Sequence, residues 1–181
     1  MKIECIKEQL EEALHKADKI AGKNPSLPIL SGLHFEAEGT TLTIKSTNLD
    51  IGLSVTIPVK VNEPGSVVVP AHVTTAFVSS LVKDRTINFS TKEQVLEVKT
   101  ASTKTSIKTY PVEEFPVIPE IEEDSAFSMP VRDFIFGIRS VIYAAAVGSI
   151  KPELSSIAVI HEGDYLVFAA TDSFRLAEKK I

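Results

Sequence analysis

Residues 27–57, LPILSGLHFEAEGTTLTIKSTNLDIGLSVTI, return 124 positions later as residues 151–181, KPELSSIAVIHEGDYLVFAATDSFRLAEKKI, without a gap. Pro28, Leu30, Ser31, Glu38, Gly39, Leu42, Thr47 and Ile57 fall on Pro152, Leu154, Ser155, Glu162, Gly163, Leu166, Thr171 and Ile181, eight identities in 31 positions. In the first copy apolar and polar residues alternate through Leu33-His34-Phe35-Glu36, Leu42-Thr43-Ile44-Lys45 and Leu53-Ser54-Val55-Thr56-Ile57. A period of two marks strands with one buried face, and Glu38-Gly39 and Asn48 supply turns between them. The same offset lays Leu10, Leu14 and Ala17 over Phe134, Ile138 and Val141. Turn, strand and helix faces that stay in phase over this distance point to internal duplication.

Upstream of the first copy, Ile6, Leu10, Ala13, Leu14, Ala17, Ile20 and Ala21 recur at helical spacing among Lys and Glu residues. They predict an amphipathic helix that Gly22 and Pro25 end. Downstream, Asn62-Glu63-Pro64-Gly65 punctuate, and the order repeats: an apolar strand at Val67-Val68-Val69, a helix opening near Pro70-Ala71, then three alternating strands around Ile87 and Phe89, Val95 to Val98, and Ile107. Residues 1–110 therefore read as one domain of two strand, helix, three-strand units. Residues 111–124 are rich in Pro and acid, without Lys or Arg, and read as an interdomain linker. Residues 125–181 repeat only the first half of the pattern, so a second domain is expected to be half present and the chain to be a truncated one, because a sheet stopped there keeps an unpaired edge. The expected class is α+β, with helices packed on one face of antiparallel sheets.

A chain of 181 residues with 44% hydrophobic and 24% charged residues is globular in composition. Cys5 is the only cysteine, which removes intrachain disulfides and thiolate metal clusters and agrees with a reducing compartment. Charges interrupt the apolar residues of Met1 to Glu8 too often for a signal-peptide core, and the longest apolar run, Val141 to Val147, is far below the ~20 residues that cross a bilayer. A cytoplasmic, membrane-free protein is expected. His15, His34, His72 and His161 lack metal-ligand spacing, and neither a phosphate loop nor a dinucleotide fingerprint occurs. His161 with Asp172 and Ser173 lacks the nucleophile-elbow motif of a hydrolase, and Asp172 occupies the turn position of Asn48 in the other repeat. The expectation is a protein that is not an enzyme and uses no cofactor.

The net charge of −5 argues against a nucleic-acid partner until it is divided. The six acidic residues of 111–124 account for more than all of it, leaving the rest of the chain formally +1. Lys7, Lys16, Lys19 and Lys23 lie on the first helix and its following loop, and Arg132, Arg139 and Lys151 take the equivalent places in the second copy. Such a surface would contact phosphates without reading bases. Glu8, Glu11, Glu12 and Asp18 are interspersed, so spacing alone reads equally as a solvated helix face.

Pro25-Ser26-Leu27-Pro28-Ile29-Leu30 before a strand, Val69-Pro70-Ala71 opening a helix, Glu114-Phe115-Pro116 in the linker, and Ala170-Thr171-Asp172-Ser173-Phe174-Arg175-Leu176-Ala177 occur in this order. Together they resemble the bacterial DNA polymerase beta sliding clamps, over the whole of residues 1–181. The resemblance implies the DNA-clamp fold and a non-catalytic processivity factor: a head-to-tail dimeric ring around duplex DNA, with helices inside and sheets outside. Its partners would be the replicative DNA polymerase, the clamp loader and other proteins with a clamp-binding motif. A peptide-binding pocket is implied at Leu154, Thr171, Ser173, Phe174, Arg175 and Leu176. Phe174 stands where the family's motif usually has His, which implies a more apolar pocket. DNA contact is implied at the loops after each first helix, at Lys19, Lys23 and Asn24, the last in a position often held by Arg, and at Ser149 and Lys151. The ring joint is implied at residues 103–109, including Thr105 and Ile107, with Leu81 and Val82 on the neighbouring helix. A protein-interaction adaptor built from the same repeats, without DNA binding, is the competing expectation.

Overall fold

The computed structural model describes residues 1–22, 27–119, 128–148 and 151–181. Contacts divide the chain into two compact units, Met1–Glu120 and Ile121–Ile181.

In the first unit, strand β1 (Lys2–Ile6) runs into helix α1 (Lys7–Ile20), and a 3-10 turn at Pro28–Ser31 leads to β2 (Gly32–Glu38), β3 (Thr41–Thr47) and β4 (Gly52–Pro58). After β5 (Lys60–Glu63) the order starts again with β6 (Gly65–Pro70), α2 (Ala71–Ser80), β7 (Thr86–Lys92), β8 (Val95–Lys99) and β9 (Lys104–Lys108). Two antiparallel sheets result, in the orders β5-β1-β7-β8-β9 and β4-β3-β2-β6. Each half lends its opening strand to the other: β1 pairs with β7, and β6 pairs with β2. The halves cannot separate without losing both ladders.

Helix α1 buries Leu10, Ala13, Leu14 and Ala17, the i, i+3, i+4, i+7 stripe that its sequence predicts. Leu10 and Leu14 are fully buried, each contributing roughly 2 kcal/mol of apolar transfer. The stripe meets Phe35, Ile44, Phe89 and Leu96 in one core shared by both sheets. The two helices lie side by side, and Ser79 Oγ is 3.2 Å from His15 Nε2. Burial pushes the Cys5 thiol up to about 12, which keeps it neutral inside this core.

Two sequence expectations change. Asn62 and Glu63 do more than punctuate: they belong to β5, which runs along the free side of β1 as far as Glu63. The start of the expected linker is also ordered against the first unit. The Tyr110 amide donates to the Val68 carbonyl at 2.8 Å, a 3-10 turn forms at Val112–Glu114, and the Phe115 ring stacks on His34 at 5.4 Å between centroids. Ile118 then fills the space beside Gly52, where a Cβ would meet its Cγ2 at 2.9 Å. The apolar residues spaced among the acids of this stretch are what anchor it.

The second unit has helix α3 (Val131–Val141), a 3-10 turn at Ile142–Ala144, and the sheet β10-β11-β12 formed by Ala158–Glu162, Tyr165–Thr171 and Leu176–Lys180. Val141, Ala144, Leu166, Phe168, Ala170 and Ala177 form its core. Geometry repeats along with sequence. Gly39 and Gly163 share a positive φ of 58° and 61°, and Ser31 and Ser155 each donate a hydroxyl hydrogen to the carbonyl of Pro28 and Pro152. The Gly22 and Ala146 amides likewise donate to the carbonyls of Leu30 and Leu154, both at 2.8 Å.

Candidate functional site

The segment Thr171 to Leu176 is a built turn between two strands. Thr171 Oγ1 donates to the Arg175 carbonyl at 2.8 Å and accepts from the Ser173 amide at 3.1 Å. Asp172 Oδ1 accepts from the amides of Phe174 and Arg175, and its Oδ2 accepts from Arg175 Nε at 2.9 Å. These amides, then the guanidinium, hold the Asp172 carboxyl below the usual aspartate range. Ser173 takes the left-handed conformation at φ 76° to close the turn.

The first repeat builds the same turn at Thr47 to Ile51. Thr47 Oγ1 donates to the Ile51 carbonyl and accepts from the Leu49 amide, while Asn48 Oδ1 accepts from the amides of Asp50 and Ile51. Leu49 has φ 79°. Asp172 is thus accounted for as a turn-former, and the catalytic arrangement with His161 and Ser173 has no support in this geometry. Both turns expose a pair of large apolar side chains, Leu49 (61%) and Ile51 (55%) in the first and Phe174 (97%) and Leu176 (71%) in the second. What distinguishes the second is the charge between them: the first turn has the acid Asp50 there, the second has Arg175, whose guanidinium is steered by Asp172. A cation flanked by two solvent-facing apolar side chains can grip an apolar peptide and one of its carbonyl or carboxylate oxygens. Leu154 lies half-buried in the bend before β10. Its counterpart Leu30 sits beside the first turn, since a Cβ on Gly22 would meet Leu30 Cβ at 2.9 Å and Asn48 Cα at 3.5 Å.

The expected DNA contacts are less concentrated. Lys19 is exposed in the last turn of α1, and Lys151 is exposed at the start of its bend. Lys23, Asn24 and Ser149 lie outside the described residues. Much of the positive charge on α1 is engaged within the helix, where Lys7 pairs with Glu11 and Lys16 pairs with Glu12.

At the expected ring joint, the structure separates the four named residues. Leu81 and Val82 follow the end of α2 at Ser80 and are not on the helix. Leu81 is buried and Val82 is 89% exposed. Ile107 is buried because strand alternation turns it, with the half-buried Thr105, toward the inner side of β9. Ile107 and Leu81 are therefore core residues; Val82 and the open edge of β9 are what this region offers to a neighbour.

The DNA polymerase III beta subunit, N-terminal domain, matches residues 1–119. The chain belongs to this family. Among its relatives, the beta sliding clamp of Streptomyces coelicolor is 28% identical over 180 residues, covering 99% of this chain and 47% of the relative. The crystal structure of the DNA polymerase III subunit beta from Pseudomonas aeruginosa superposes with a TM-score of 0.93 at 26% identity, covering 100% of this chain and 50% of that one. The DNA polymerase sliding clamp from Bacillus subtilis also gives 0.93, at 25% identity and the same coverage. The α+β clamp fold expected from the ordered motifs is thus the fold observed. The chain spans about half the length of the curated relatives it matches. Among the described residues, no helix is long and apolar enough to cross a membrane.

Proposed function

We propose that these residues are the first domain and the opening half of the second domain of a DNA sliding clamp. In this reading the complete protein encircles duplex DNA in the cytoplasm and tethers the replicative polymerase, without catalysing a reaction itself. Residues 1–110 form the first clamp domain, residues 111–124 the connection, and residues 125–181 the start of the next domain. The duplicated turn carries the reading: two matching backbone devices present Leu49-Asp50-Ile51 in one repeat and Phe174-Arg175-Leu176 in the other. The exchange of an acid for a cation between two exposed apolar side chains is not needed by the turn itself and suits an apolar peptide with a carbonyl or carboxylate. Leu154 completes the peptide site, Lys19, Lys23, Asn24, Ser149 and Lys151 lie toward the DNA, and the edge of β9 with Val82 joins a second subunit. Topological enclosure lets a weakly basic lining suffice, because sliding does not require tight phosphate binding.

The test uses the full-length protein and a fluorescent peptide with a Leu or Phe anchor of the clamp-binding kind. Leu176→Ala and Arg175→Ala are each expected to weaken binding by about tenfold, the loss of one well-placed contact. Unchanged affinity in both variants, with folding intact by circular dichroism, would remove the peptide site from this turn.

A further inference from the structure

Among the described residues of the first unit, the strongest concentration of unpaired positive charge lies on the solvent face of the sheet β5-β1-β7-β8-β9. Strand register fixes this. Lys2 stands opposite Ser90 and Glu63, Ser90 opposite Glu97, and Glu97 opposite Ser106, while Glu4 stands between Lys60 and Asn88. One row away Asn88 faces Lys99 and Lys99 faces Lys104; on the other side Lys92 faces Val95 and Val95 faces Lys108. Residues directly opposite share a face, so these side chains form one surface, while Ile3, Phe89, Leu96, Val98 and Ile107 point into the core.

Among the described residues, Lys2, Lys92, Lys99 and Lys108 have no carboxylate within ion-pair distance, and Lys104 reaches Glu97 only at 3.7 Å. Lys99 directly opposite Lys104 places like charges on neighbouring strands, which is unfavourable for the sheet alone. Lysines on edge strands often serve to block unwanted strand pairing. That explanation covers Lys104 and Lys108 on β9, but not Lys2, Lys92 or Lys99, which lie on interior strands. The face also forms a groove of about 910 Å³, continued by Lys83, Asp84 and Arg85 of the loop before β7, in which the basic residues outnumber Glu4, Asp84 and Glu97.

We propose that this outer sheet face is a second nucleic-acid contact, which takes the phosphodiester backbone of duplex DNA without regard to sequence. The chemistry of the face selects that partner. Its uncharged members are mostly Thr86, Asn88, Ser90 and Ser106, hydroxyls and an amide that donate to phosphate oxygens as the lysines do. Its one exposed large apolar side chain among the described residues is Ile6 at the margin, opposite Thr86, and Phe89 beneath it is fully buried, so it has no central aromatic or aliphatic cluster of the kind around which protein partners dock. Without an aromatic platform it has no means of stacking single-stranded bases. Lysines, as point charges, contact phosphate without fixing a base.

Fluorescence anisotropy of a labelled linear duplex, titrated with the chain over a range of salt concentrations, tests the proposal. Lys92→Gln, Lys99→Gln and Lys108→Gln together are expected to weaken binding at least about tenfold near 50 mM salt and to reduce the slope of log K against log salt by about 3. A variant of equal charge change, Lys45→Gln, Lys179→Gln and Lys180→Gln, takes lysines already engaged by Glu36, the Phe136 ring and Glu162, and is expected to bind nearly as the parent does. Equal losses in both variants would mean that net charge alone acts, and would overturn the proposal. No binding by the parent chain at low salt would also overturn it, as would parent binding of a polyglutamate peptide in place of duplex. Loss confined to a Lys19→Gln and Lys151→Gln variant would overturn this face while leaving the clamp reading intact.

Discussion

At the residue scale, the two repeats solve one packing problem in two ways. Ala13 of α1 and Ile44 of β3 both belong to the first core, and their counterparts are Gly137 and Phe168. A Cβ on Gly137 would lie 2.6 Å from the Phe168 ring, well inside contact distance. The larger ring is accommodated by a methyl group missing from the helix, so Gly137 is kept for space at the cost of helix propensity. Gly137→Ala is expected to destabilise the second unit by about 1–3 kcal/mol through overpacking, despite the better helix former. Adding Phe168→Ile restores the first repeat's combination and is expected to recover most of the loss, with urea denaturation of the single and double variants as the check.

At the element scale, the segment after β9 behaves as a clasp on the first unit. His34 of β2 lies between the strand ladder and the Phe115 ring, and burial above all lowers its pKa below the ordinary 6.5. The docked state therefore binds fewer protons than the undocked one, so docking strengthens as pH rises and weakens as pH falls from about 6.5 through the lowered value. Phe115→Ala is expected to raise the His34 pKa toward 6.5, followed through the imidazole protons by NMR titration. An unmoved titration would show that Phe115 does not cover the ring. Composition led the sequence reading to a linker here, because six acids dominate residues 111–124. The anchoring is done by Tyr110, Val112 and Phe115, which close a small cluster over Ile29, Leu30 and Val68.

At the scale of the whole molecule, exchanged opening strands make the first unit one cooperative body. A cavity at Phe89, which is completely buried, costs about 3–5 kcal/mol when the side chain is cut to Ala. Because β1 and β6 cross between halves, Phe89→Ala is expected to lower hydrogen-exchange protection in β2 and β3 as much as in β7 and β8. Loss limited to β7 and β8 would mean that the halves open separately. The second unit has its own core and its own sheet, and the separate cluster around Phe168 is what its stability rests on.

The sequence by itself determined the duplication, the alternation of strands, the helix stripe at Leu10 to Ala17 and the family, because each is a local period or an ordered string that needs no knowledge of distant contacts. It also marked the Thr171 to Leu176 turn, since Thr and Asp or Asn bond their own backbone two to four residues on. Only the tertiary structure decided which strands exchange, because pairing of β1 with β7 joins residues 80 to 88 positions apart. It turned Leu81 and Ile107 inward. It also gathered lysines from four strands onto one face, a patch that no linear charge count reveals because strand register, and not sequence order, sets which side chains are neighbours.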